Sequence, residues 1–231
     1  MPRNVRIAPN GYVYHIISRG NNRHTVFEDE RDYRKYLKIV EKYKEKYFFR
    51  LYHYVLMGNH IHMVLETTEE GGSLSEIMKG INLSYVLYYQ NKYGYTGHLW
   101  QDRYKSIMVS KDEYLLACGS YVELNPVRAR ICENPESYPW SSYRIYAFGE
   151  KDLLVDQHPV YDELGRDEEE CRRNYRRFVI GMFEKDKSYK REMESGLIYG
   201  NPDFVEEELK KHYTEQVIKR RGRPRKTDRT I

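Results

Sequence analysis

Apolar and polar positions change period several times along the chain, and each change marks an element. Tyr12 to Arg19 (YVYHIISR) is dense in β-branched and aromatic residues and runs into Gly20-Asn21-Asn22, which predicts a first strand closed by a turn. Between residues 29 and 47, Tyr33, Tyr36, Leu37, Val40, Tyr43 and Tyr47 recur at helical spacing with charges between them, the pattern of an amphipathic helix. Two short apolar runs follow, Leu51 to Met57 and Ile61 to Glu66, and Gly58-Asn59 between them is short enough to join an antiparallel hairpin. Ser73-Leu74-Ser75-Glu76 has the form of a capping box opening a second helix, with Leu74, Ile77, Met78, Ile81, Tyr85 and Tyr88 or Tyr89 on its buried side and Gly94 near its end. A fourth strand is predicted at Lys105 to Val109. A third helix is predicted from about 112 to 124, capped by Ser110 or Asp112 and stopped by Asn125-Pro126, because a residue before proline avoids the α region.

The order β-α-β-β-α-β followed by a helix is that of an α+β, ferredoxin-like antiparallel sheet with one added helix. This superfold hosts many functions, so the order alone names none. Beyond Trp140 the periodicity weakens to two charged amphipathic stretches, 165–185 and 203–213, which predict a small helical C-terminal appendage. The chain thus divides into a first domain at 1–146, the appendage at 147–218 and a tail at 219–231. That tail, KRRGRPRKTDRTI, has no apolar residue before Ile231 and buries nothing by itself, so disorder is expected for it.

Charge changes this picture more than composition does. The formal net charge is +4, but residues 1–130 carry +5, residues 131–218 carry −7 and residues 219–231 carry +6. An anionic partner is therefore expected at the first domain and the tail, since clustered Lys and Arg are the footprint of nucleic-acid binding. Three cysteines, Cys118, Cys132 and Cys171, without a CxxC pair exclude a disulfide framework and a thiolate zinc site. No apolar run approaches membrane-spanning length and no signal-peptide pattern opens the chain, so a soluble, cytoplasmic protein with no membrane partner is expected. Tyrosine is abundant, at 24 of 231 residues; its ring stacks on bases as well as filling cores, so only position can single one out.

Two constellations carry chemistry. His60 and His62 flank Ile61 in a predicted strand, and a period of two puts both imidazoles on one face about 7 Å apart along it, close enough to share an ion if the rings lean together. The bland reading is a hydrogen-bonded pair, but two adjacent polar rings in so apolar a strand need compensation. Tyr121 and Asn125 lie four residues apart on the third helix, so a phenol and a carboxamide share a face, as a nucleophile beside a neutral metal ligand would. Asn125 reads equally as a C-cap. Tyr114, two turns before Tyr121, is the rival nucleophile.

The stretches MGNHIHMVL (57–65), GHLWQDRYKS (97–106), DEYLLACGSYVELNPVRA (112–129) and YPWSSY (138–143), in this order and spacing, resemble the single-tyrosine HUH transposases, most closely the REP-associated tyrosine transposases and their relatives. The resemblance covers residues from about 8 to 146. It implies that His60 and His62 are the metal-binding histidines, that Tyr121 is the nucleophile and that Asn125 is a third metal contact. Mg²⁺ or Mn²⁺ is then the expected ion, since either suits imidazole and amide ligands with positions left for phosphate. The implied reaction cuts single-stranded or hairpin DNA, leaves a 5′-phosphotyrosine and a free 3′-hydroxyl, and rejoins without ATP. Arg103 and Lys105 beside Trp100 and Tyr104 have the composition of a single-strand groove, the competing reading being a solvated strand edge with Trp100 in the core. Arg221-Gly222-Arg223-Pro224 resembles the core of an AT-hook, an extended minor-groove reader. Two other classes compete with the endonuclease: a catalytically inactive nucleic-acid-binding regulator of the same fold, and a metal-dependent hydrolase using water. Both a monomer and a dimer are compatible with the sequence.

Overall fold

The hairpin at Gly58-Asn59 is the point from which the sheet is registered. Strands β2 (Arg50–Met57) and β3 (His60–Glu66) pair antiparallel with Met57 opposite His60, so the connection is the two residues foreseen. The computed structural model describes residues 8–184, 193 and 196–212, and the tail with Arg221, Gly222, Arg223 and Pro224 lies outside the described residues. Strand β1 (Val13–Arg19) inserts between β3 and β4 (Lys105–Val109), antiparallel to both, giving the order β2-β3-β1-β4 of a ferredoxin-like sheet. Helix α1 (Glu30–Tyr47) starts at Asp29, whose carboxylate caps it, and α2 (Leu74–Tyr93) starts at the Ser73/Glu76 capping box and ends on Gly94 in the left-handed region. Helix α3 (Glu113–Glu123) starts at Asp112, whose side chain accepts from the Tyr114 amide.

Alternation along the strands then sorts side chains onto two faces. Tyr14, Ile16, Ile61, Met63 and Leu65 point to the face covered by α1 and α2, where they meet Tyr36, Val40, Ile77, Met78, Ile81 and Tyr85. Val13, Val55, Val64, Ile107 and Val109 point the other way, and α3 lies over them through Leu115, Cys118, Tyr121 and Val122. The histidine pair is on this second face, so the helix carrying Tyr121 and the strand carrying His60 and His62 are laid against each other by the core itself.

The chain after α3 is less separate than its acidic composition implies. Helix α4 (Asn125–Arg128) continues the path of α3 past Leu124, followed by α5 (Tyr143–Phe148), α6 (Glu168–Glu184) and α7 (Pro202–His212). A two-residue strand, β5 (Ile198–Tyr199), extends the sheet parallel to β4, an element too short for any periodicity to announce. Between these elements sits a buried polar cluster. The carboxylate of Glu123, fully buried, receives the Tyr175 hydroxyl at 2.6 Å, the Ser142 hydroxyl at 2.6 Å and His53 Nδ1 at 2.9 Å. Tyr146 and His158 pack their rings around His53. His53 can lie under α3 only because residue 119 is glycine: a Cβ there would stand 2.4 Å from His53 Nε2.

That clearance predicts a stability difference between two glycines. Gly119→Ala should lower stability by about 1–3 kcal/mol, the usual penalty of overpacking. Gly58→Ala, where an added Cβ meets nothing within 4 Å, should change it by less than about 0.5 kcal/mol. Urea denaturation of the two variants and the parent measures both, and equal midpoints for all three would remove the steric account.

Candidate active site

The geometry of the His60 ring is set at the hairpin turn. The Gly20 amide donates to the Asn59 carbonyl at 2.8 Å and the Val26 amide to the Gly58 carbonyl at 2.8 Å, so the loop after β1 holds the turn in place. Asn59 Oδ1 then lies 2.6 Å from His60 Nδ1. An amide oxygen only accepts, so the imidazole proton sits on Nδ1 and Nε2 keeps its lone pair. His62, one pleat further along, has its ring centroid 5.1 Å from that of His60. Its Nδ1 is 2.8 Å from Nε2 of His15, and the two rings stack at 5.1 Å. His15 is on β1, across from Val64, a neighbour that only the register reveals.

All three imidazoles are held neutral. Burial, with Arg19 adding to it, pushes His60 down to about 4. Burial lowers His62 well below the ordinary histidine value, and His15, His60, Arg19 and Arg128 act in the same direction. His15 is pushed down to about 4 by burial, partly offset by the Met193 backbone, which lies beside it without completing good hydrogen-bond geometry. A neutral imidazole is the form that offers a lone pair to a metal, and a neighbour on the other ring nitrogen orients it.

Helix α3 brings Tyr121 to this cluster. Its ring, 2 % exposed, stands edge-on to His62 at 6.2 Å and to His15 at 6.0 Å. Tyr114 faces elsewhere, its ring against Tyr199 of β5 at 5.0 Å. Asn125 acts as a cap in a way that follows from its neighbour. Pro126 has no N–H to give the Val122 carbonyl, and Asn125 Nδ2 donates to that carbonyl at 3.1 Å and to the Tyr121 carbonyl at 2.9 Å. Helix α3 thus ends at Glu123, just before the proline expected to stop it, and the short helix α4 begins at Asn125. The same arrangement spends the amide nitrogen and leaves Oδ1 as the atom of Asn125 with lone pairs.

The cations expected at a nucleic-acid groove divide from their aromatic companions. Arg103 and Lys105 line a cleft of about 250 Å³ with Arg19, Gln101, Asp102 and Ile17. Ile17 is opposite His62 and Arg19 opposite His60, so this cleft borders the histidine pair. Trp100 and Tyr104 are not in it. The Trp100 ring packs against Tyr85 at 6.0 Å and Tyr36 at 6.5 Å, and Tyr104 is buried with its hydroxyl 3.4 Å from Ser75 Oγ, so both rings serve the core between sheet and α2. Sequence reading singled out neither His15, Arg19 nor Arg128. The first two become visible only when β1 is paired with β3, whereas Arg128 lay within a quoted motif without a signal to separate it from other surface arginines. Among the described residues, no three His, Cys, Asp or Glu side chains group closely enough to hold a metal ion. Nor is any described helix long and apolar enough to cross a membrane.

Residues 9–125, just over half the chain, match the family model of IS200-like transposases. The solved structure of a REP-associated tyrosine transposase bound to a REP hairpin shares the fold, with a TM-score of 0.55 at 19% identity over 68% of this chain and 92% of that one. A crystal structure of a protein of Deinococcus radiodurans R1 assigned as a transposase aligns with a TM-score of 0.37 at 18% identity, over 59% of this chain and 95% of that one. No curated protein matches the sequence.

The cap at Asn125 generates its own expectation. Asn125→Ala should cost about 1 kcal/mol through the loss of its donor to two carbonyls, and Asn125→Asp more, since a carboxylate would face those carbonyls with no proton to give. Chemical denaturation checks this, and an Asn125→Asp variant as stable as the parent would refute the capping role.

Proposed function

The chain belongs to the IS200-like transposase family, and on that premise we propose that it is a single-strand DNA endonuclease and strand transferase of the HUH type, with Tyr121 as its nucleophile. The observation that carries the reading is the placement of the Tyr121 phenol ring edge-on to His62, whose ring lies 5.1 Å from that of His60 on the same sheet face. In this reading the Tyr121 oxygen forms a bond to the scissile phosphorus and the bond from phosphorus to the 3′-oxygen breaks. The departing oxygen leaves with the electron pair and takes a proton, while the phenol's proton passes to solvent. The ester energy is kept in the 5′-phosphotyrosine, so the reverse attack by a 3′-hydroxyl rejoins DNA without ATP.

The residues fit a divalent ion. His60 and His62 would hold it through Nε2, their Nδ1 atoms being turned to Asn59 and His15, and Asn125 would offer Oδ1. When bound, Mg²⁺ or Mn²⁺ supplies positive charge against the scissile phosphate. The protein's own part is to keep both imidazoles unprotonated and oriented, and to present the phenol from a helix fixed on the same sheet. Arg19, Arg103 and Lys105 are the cations we assign to the DNA strand, at the cleft beside His60 and His62. A single strand or a hairpin end suits the site better than a paired duplex, because stacking and pairing hold the backbone away from a side chain buried in the fold.

Two measurements test this. Single-stranded hairpin oligonucleotides tiled from the DNA flanking the gene, incubated with the full chain and Mn²⁺, should give a covalent protein-DNA adduct on a denaturing gel. Tyr121→Phe should abolish the adduct and Tyr114→Phe retain it; an adduct that survives Tyr121→Phe would displace the nucleophile, and strand cleavage without an adduct would favour a hydrolase using water. Separately, His60→Ala and His62→Ala should each weaken Mn²⁺ binding by at least ~10-fold, judged against the effect of losing only a supporting residue. Electron paramagnetic resonance without DNA reads this, and unaltered binding in both variants would take the ion away from this pair.

A further inference from the structure

Arg128 stands over the Tyr121 ring, and its position follows from the short helix Asn125–Arg128. Past Leu124 the helical path continues for one more turn, with the Arg128 amide donating to the Leu124 carbonyl at 3.0 Å. The side chain folds back along α3. One guanidinium nitrogen, Nη1, donates to the Tyr121 carbonyl at 2.6 Å, and the guanidinium carbon stands 4.5 Å from the centre of the Tyr121 ring. A single side chain thus touches both the backbone and the ring of Tyr121.

A helix cap does not account for this placement. The Tyr121 carbonyl already receives Asn125 Nδ2 at 2.9 Å, so a second donor is redundant for satisfying it. Burying the ring does not account for it either, since aliphatic cover would do that without bringing a charge inward. A guanidinium over a phenol restricts the ring and favours negative charge on it and beside it. Negative charge is what arrives when a phosphodiester is attacked there.

We propose that Arg128 is a positioning residue of the strand-transfer reaction, holding the Tyr121 phenol in its attacking orientation and setting a fixed positive charge beside the phosphate. The inference rests on the reading of Tyr121 as nucleophile. Its consequence is that Arg128 contributes to the cleavage rate more than to DNA affinity, because preorganised charge acts where charge develops. A residue that only stabilised the fold would change neither selectively.

The test uses the full chain with Mn²⁺ and whichever hairpin oligonucleotide gives the adduct. Single-turnover cleavage is timed for the parent, Arg128→Ala, Arg128→Gln and Arg128→Lys. Affinity is measured for the same substitutions in a Tyr121→Phe background, where the DNA stays intact. Arg128→Ala and Arg128→Gln should slow cleavage by about 10²-fold or more, as loss of one preorganised donor does, with affinity changed by less than about 3-fold on the scale of a single lost phosphate contact. Arg128→Lys should recover part of the rate, and free guanidinium at about 10 mM should raise the rate of Arg128→Ala where ammonium at equal ionic strength does not, because only the planar fork replaces what was removed. Cleavage by Arg128→Ala within threefold of the parent rate would overturn the proposal. So would a loss of rate matched by an equal loss of affinity, or a loss that neither lysine nor guanidinium restores. If the parent gives no adduct with any oligonucleotide, the failure belongs to the assignment of Tyr121 and not to Arg128.

Discussion

The buried carboxylate of Glu123 fixes where α3 lies, and the position of Tyr121 follows from it. An ionised carboxylate removed from water costs several kcal/mol, and only a full set of donors offsets that. The donors come from three separate parts of the chain: His53 on β2, Ser142 before α5 and Tyr175 on α6. Each one that fails leaves a buried acceptor unsatisfied, at about 1–3 kcal/mol. Sliding α3 along the sheet, or rotating it, breaks several of these bonds at once. Gly119, one turn earlier, admits His53 beneath the helix and adds a steric stop to the electrostatic one. Tyr121 lies between these two anchors in sequence, so its ring inherits their precision.

The same cluster changes the meaning of the segment after residue 146. Its acidic composition reads as an appendage, yet α6 contributes Tyr175 to the carboxylate, and its Tyr175 and Val179 pack with Leu116 and Leu124 beside α3. β5 meanwhile covers the exposed edge of β4, with the Ser110 amide donating to the Tyr199 carbonyl at 2.9 Å. An uncovered edge invites pairing with another chain. The described part of the acidic segment is thus part of the support of α3.

What the sequence made legible is what local periodicity encodes. The hairpin, the capping boxes and the two-residue spacing of His60 and His62 depend on residues near one another, and so does the four-residue spacing of Tyr121 and Asn125. The buried side of α2 came out almost residue for residue; of the two candidates at its end Tyr89 is the buried one, while Tyr88 turns to Asp32 at 2.8 Å. What stayed hidden depends on register between distant segments. His15 meets His62 only because β1 slots beside β3, 47 residues away, and Glu123 meets His53 across 70. Trp100 shows the converse: cations beside an aromatic have the composition of a nucleic-acid groove, but composition does not say which side of the sheet each one faces. Among the described residues many tyrosines pack in the core with a hydrogen-bonded hydroxyl, such as Tyr85 on the Val26 carbonyl and Tyr138 on the Leu56 carbonyl, so the abundance of tyrosine singles out none of them.

The electrostatics of the site have an internal logic that neither the histidines nor the arginines show alone. Burial favours the neutral imidazoles, Arg19 pushes His60 and His62 further the same way, and Arg128 does so for His62. In most sites, cations close to a metal position would oppose binding of a divalent ion. Here they also keep the ligand lone pairs free of protons, and they sit where a phosphate would add negative charge to the same small volume. An ion and a phosphate brought together are each favoured by the other's charge, whereas the ion alone faces the repulsion of the arginines. On the proposed function, the arrangement would couple the divalent ion to the DNA phosphate. Metal bound without DNA should be weak, DNA bound without metal should be held mainly through the cleft, and the catalytic arrangement should assemble only when both are present. A site built in this way has a physical reason to remain inactive until a single strand delivers its phosphate to Tyr121.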